Sequence, residues 1–145
     1  MIDGYYYLHT NGDLIYKREF GDTAADLRES SFVRGLWPFH SNDRENAWSI
    51  LVEALAGGAN KARIGELANK WGCNNADAEI YAKHIDCKLY MDGDQHCATR
   101  LDFIDLQSSP AGFGDTALAA MAELAKELGY RPAKMWGNSF KGLLK

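Results

Sequence analysis

Five side chains able to bind a soft metal, Cys73, His84, Cys87, His96 and Cys97, fall within twenty-five residues of one another. Thiolates and imidazoles at that density are the donors of tetrahedral zinc sites. The spacing argues the other way. There is no CxxC or HxxxH, and His84 and Cys87 straddle a predicted helix end. Adjacent His96 and Cys97 point to opposite faces of a predicted strand. The cysteines read as small buried hydrophobes and the histidines as surface groups, so neither a metal nor a cofactor is expected. Three cysteines, an odd number without tight spacing, make no disulfide framework either.

Other chemistry is sparse. No GxSxG, no HExxH and no Cys–His motif marks a nucleophile. Acids such as Asp102/Asp105 and Glu123/Glu127 sit along predicted helix or turn surfaces. The Gly-rich run PAGFG precedes a helix that Asp115 is expected to cap, and no lysine follows it as in a phosphate-binding loop. It reads as a turn, and no catalytic residue is assigned.

The organising stretch is IGELANKWGCNNADAEIY, from Ile64 to Tyr81. Ile64, Leu67, Ala68 and Trp71 form one face of a first helix, and Ala78, Tyr81, Ala82 and Ile85 repeat that face on a second. Gly72 supplies a residue that tolerates positive φ where the first must end. Two short amphipathic helices joined this way must close on each other, with Ala68 allowing close approach and Trp71 filling the angle between them.

Around this motif the chain divides readily. A β-hairpin over 5–19 turns at Asn11-Gly12, which as a two-residue loop sets Leu8 opposite Ile15 and Tyr7 opposite Tyr16. Asp22 or Thr23 starts a short helix through Glu29; Phe32, Val33, Leu36, Trp37 and Phe39 then form an apolar patch tucked beneath the hairpin. Asn42 and Glu45 have the layout of a capping box for a helix to Leu55, and Asn60 caps the next. After the motif, 87–91 and 96–100 flank Asp92-Gly93-Asp94-Gln95 as a second hairpin. A loop over 108–114 leads to a helix ended by Gly129, and a last helix spans about 133–144.

Three helices followed by a hairpin resemble the winged helix-turn-helix family over residues 42–100, most specifically in the LAxxWGC core at Leu67–Cys73. The expected fold is α+β: one compact domain with a hairpin and connector over 1–41, a winged-helix-like core over 42–100 and a C-terminal helical pair over 101–145. Segments YYYLHTNGDLIYK from Tyr5, WGCNNADA from Trp71 and CATRLDFIDLQSSPAGFGDTALAA from Cys97 also resemble small uncharacterised bacteriophage and prophage proteins. That likeness implies a setting and carries no active site.

The family's usual ligand is duplex DNA. Asn74 and Asn75 would meet bases, while Lys61, Arg63, Lys70 and Lys83 would meet phosphates. Charge opposes this. Net charge is −4, residues 61–100 hold six acids and six bases, and Asp77, Glu79, Asp92 and Asp94 lie on the expected contact side. Phosphate neutralisation supplies nearly all non-specific DNA affinity. The favoured expectation is therefore a non-enzymatic module that binds a protein, a host protein in the phage setting, through Asn74, Asn75, Asp77, Glu79, Lys83, Asp92 and Asp94. A dimeric DNA-binding regulator is the alternative. No apolar run approaches the roughly 20 residues of a membrane span, and no secretion leader is visible, so the cytoplasm is expected.

Overall fold

A computed structural model describes residues 3–18, 33–102, 104–105, 107 and 109–129. The expected helices over 22–29 and 133–144 lie outside them. The described part is mixed α+β, with two three-stranded antiparallel sheets and four helices.

The first sheet has the order β2-β1-β3, from β1 (Gly4–His9), β2 (Leu14–Lys17) and β3 (Val33–Phe39). Alternate residues of β1 are buried, which gives Tyr6 and Leu8 to the core. The hairpin forms where the Asn-Gly signal lies, but its register corrects the expectation. Leu8 faces Leu14, Tyr7 faces Ile15 and Tyr6 faces Tyr16. The loop is one residue longer than a two-residue turn: His9 N–H donates to Asp13 O, and Gly12 adopts φ +96°. Asn11 Oδ1 accepts from Asp13 N at 3.0 Å and holds the wider turn. A one-residue shift exchanges faces along β2, so Leu14 joins Tyr6 and Leu8 inside. The apolar patch before Pro38 is the third strand, paired along β1. Pro38 is tolerated because β3 is at the edge of the sheet among the described strands, where a missing N–H costs no ladder bond.

Helix α1 (Arg44–Ala56) is the central element, with Ala47, Trp48, Ile50, Leu51, Val52, Glu53, Ala54 and Ala56 all buried. Its cap is Asp43, which accepts from Asn46 N, rather than Asn42. Asn46 binds the chain leaving β3, accepting from His40 N and donating to Pro38 O, and this fixes where the helix begins. Deeper in, Trp37 Nε1 donates to Glu53 Oε1 at 2.7 Å, a buried link from β3 to α1. The tip of the first hairpin is pinned as well, since Asn60 N–H donates to Gly12 O at 2.7 Å.

Helix α2 (Lys61–Trp71) starts at the Asn60 cap and ends at Gly72, whose φ is +70°. Helix α3 (Ala78–His84) buries Ala78, Tyr81 and Ala82. Tyr81 stacks on Trp48 with ring centroids 5.9 Å apart, and its hydroxyl shares a hydrogen bond with Ser49. The helix stops at His84, so Ile85 leaves the predicted inner face and is exposed. Trp71 also departs from expectation. It packs on Tyr6 and Phe39 of the first sheet instead of filling the angle between α2 and α3.

The second sheet, β4-β5-β6, comprises β4 (Cys87–Asp92), β5 (Gln95–Arg100) and β6 (Ala111–Gly114). Asp92 pairs with Gln95 around the Gly93-Asp94 turn. The run expected as a Gly-rich loop is strand β6, paired along β5. Helix α4 (Ala117–Glu127) lies on this sheet and against α1, and is capped by Thr116 instead of Asp115. Its small Ala119 and Ala120 let the helix backbone approach the glycines of β6. In the described part three helices, α1 to α3, precede the β4–β5 hairpin, and the third strand β6 and the short α3 were not expected from the sequence.

A side chain at Gly112 would run into Ala120 O and Leu124 N, backbone atoms that have no room to retreat. Gly112→Ala should therefore cost roughly 1–3 kcal/mol, read as a lower urea midpoint. Gly93→Ala, which meets nothing within 4 Å at the hairpin tip but sits at φ +66°, should cost less, from backbone strain alone.

Candidate functional site

The segment 73–77 between α2 and α3 holds three of the residues expected to read a partner, and the exposed Asn74 and Asn75 each spend their side-chain oxygen on a backbone amide. Asn74 Oδ1 accepts from Asp77 N at 3.1 Å, closing the turn that starts α3. Asn75 Oδ1 accepts from Ala117 N at 3.0 Å, satisfying one of the free amides at the start of α4. Asp77 lies 3.1 Å from Arg44 Nη2 as an ion pair, and Arg44 Nη1 donates to the carbonyl of Trp71. One guanidinium at the start of α1 thus clamps the end of α2 and the start of α3. The sequence reading missed Arg44. Its contacts join residues 27 and 33 positions apart, beyond any local pattern.

The remaining candidates are exposed as well. Glu79 and Lys83 point outward from α3, as does Ile80, 67% exposed, between them. Asp92 and Asp94 are exposed at the β4–β5 tip, next to Met91 at 54% exposure. Lys61, Arg63 and Lys70 are exposed on α2. Arg63 and Lys70, however, border hollows facing the first sheet: Arg63 beside Asp13 and Tyr16, Lys70 beside Tyr16 and Phe39. The bases named for phosphate contact are therefore spread over two elements, two of them turned toward sheet residues. His84 Nδ1 lies 3.7 Å from Glu45.

The five possible metal donors are dispersed. Among the described residues no group of three or more His, Cys, Asp or Glu side chains converges. Cys73, Cys87 and Cys97 are buried and free. Burial pushes the Cys87 thiol up to about 11 and raises that of Cys73 as well. Tyr90 is raised to about 12, mainly by its hydrogen bond with Cys97. No described helix is long and apolar enough to cross a membrane.

No family model, curated protein or solved structure matches this chain.

Two outcomes are expected. Asn75→Ala, which removes the acceptor of Ala117 N but leaves the Thr116 cap in place, should lower stability by about 1 kcal/mol, while Asn75→Asp should retain most of it; thermal unfolding of the three proteins checks this. With a pKa near 11, about one Cys87 thiol in a thousand is ionised at pH 8. The folded protein should therefore react slowly with a thiol reagent, and urea should release all three cysteines.

Proposed function

We propose that this protein is a non-enzymatic binding module that grips a protein partner through the outer side of α3 and the tip of the β4–β5 hairpin. The observation that carries the reading is Ile80, two-thirds exposed on α3 between Glu79 and Lys83. An aliphatic side chain framed by opposite charges suits a protein contact, in which the apolar atom is desolvated and the charges select the partner. Asp92 and Asp94 extend the acidic part of the surface. Asn74 and Asn75 contribute indirectly, by fixing how α3 is presented.

Duplex DNA fits this surface poorly. Both asparagine oxygens that would meet bases accept from backbone amides, and the acids would face phosphates. The winged-helix likeness supports a recognition role for α3, and the likeness to bacteriophage proteins supports a host protein as the partner.

The test uses Ile80→Asp and the charge exchange Glu79→Lys with Lys83→Glu, all exposed positions that leave the core intact. Crosslinking and affinity capture from bacterial extract should give a discrete protein partner, lost with both variants and retained by Asn11→Ala on the first hairpin. Low-salt mobility shift on random duplex should show no binding at micromolar protein. A duplex shift abolished by Lys61→Glu and Lys83→Glu would replace the reading with DNA binding.

A further inference from the structure

Between the first sheet and the end of α2 lies a cavity of about 560 Å³, within the ordinary size range for small-molecule sites. Its apolar wall is a set of four rings in mutual contact. Phe39 and Trp71 stack with centroids 5.0 Å apart and 26° between planes. Tyr6 meets both edge-on at 5.2 and 5.1 Å, and Tyr16 meets Phe39 at 6.1 Å. Tyr6 is buried, but Tyr16, Phe39 and Trp71 are each only half-buried, so ring surface is left facing the space.

Three charged side chains line the same cavity: Asp43, Arg44 and Lys70. Two are committed. The Asp43 carboxylate accepts from Asn46 N at the head of α1, and Arg44 is divided between Asp77 and the Trp71 carbonyl. Among the described residues Lys70 has no ion pair, and it is exposed and next to Trp71 in the chain. The arrangement is an aromatic wall with one uncommitted positive charge at its edge. Aromatic rings gain from stacked or edge-on contact with another ring beyond the area they bury. An ammonium beside a partly dry wall favours an anion more than it would in open water. The carboxylate of Asp43 in the same lining disfavours a highly charged ligand such as a polyphosphate.

We propose that this cavity binds a small aromatic carboxylate, its ring against Phe39 and Trp71 and its carboxylate at Lys70. The site stands apart from the protein-contact surface, since none of Glu79, Ile80, Lys83, Asp92 or Asp94 lines it. Loss of one leaves the other intact.

The probe is 2-naphthoate, compared with its neutral amide, 2-naphthamide, on the full chain. Binding is followed by the four tryptophan indole N–H resonances, with Trp71 assigned through Trp71→Phe. Naphthoate should shift the Trp71 signal saturably and leave buried Trp48 little moved. The amide should bind at least about tenfold more weakly, and Lys70→Met should weaken naphthoate by a similar factor, as expected for one lost charge contact. Lys70 is exposed, so the variant should unfold at the same temperature as the parent. Absence of a Trp71 shift with millimolar naphthoate on folded protein overturns the proposal. So does equal affinity for acid and amide, or indifference to Lys70→Met, either of which would leave a merely sticky apolar hollow.

Discussion

Helix α1 has almost no side that can face water. Its apolar residues run around most of its circumference, so the helix is stable only when other elements enclose it. That need explains much of the architecture. The first sheet covers one part through Tyr6, Leu8 and Trp37, α2 and α3 cover others through Ile64, Leu67 and Tyr81, and α4 completes the enclosure through Leu118 and Met121. A single core therefore runs from one sheet to the other. Helix α1 meets the first sheet directly and reaches the second through α4, which packs on both, and among the described residues no strand of one sheet pairs with the other.

Polar links set the orientation of elements that the apolar core alone would leave free to slide. Trp37 and Glu53 fix β3 along α1, Gly12 and Asn60 fix the hairpin tip at the corner between α1 and α2, and Arg44 fixes the corner between α2 and α3. Asn75 fixes that same corner to α4. Each link joins segments distant in sequence and satisfies a donor or acceptor that would otherwise be costly near a core. The turn 73–77 is thereby held from both sides, and α3 is offered to solvent at a defined angle.

Local signals in the sequence were sufficient wherever a short stretch determined its own conformation. Asn60 and Gly72 bound α2 as their chemistry demands, and the Gly93-Asp94 turn gives the second hairpin its pairing. The Asn11-Gly12 signal located the first hairpin but not its register, because the added bond from Asp13 N–H to Asn11 Oδ1 widens the loop by one residue. Strand β6 was hidden for a different reason. Its sequence, Ala-Gly-Phe-Gly, lacks β-branched residues, and it is a strand because α4 needs a surface with no side chains in the way. The candidate site shows the same division. Glu79, Lys83, Asp92 and Asp94 are on the surface, as amphipathic spacing and a turn imply. Asn75 and Arg44 act through partners 42 and 33 residues away, and Trp71 turns to a sheet whose third strand the local pattern did not reveal.

The proline in β3 bears on how copies of the molecule treat one another. A strand at the margin of a sheet offers its outer backbone groups to any extended chain that drifts past, and a continuous row of them is a template for fibrous stacking. Pro38 interrupts that row near its end, since it offers no N–H and its carbonyl already accepts from Asn46. Among the described strands, the margin that carries Pro38 is thus poorly suited to recruit a neighbour edge to edge.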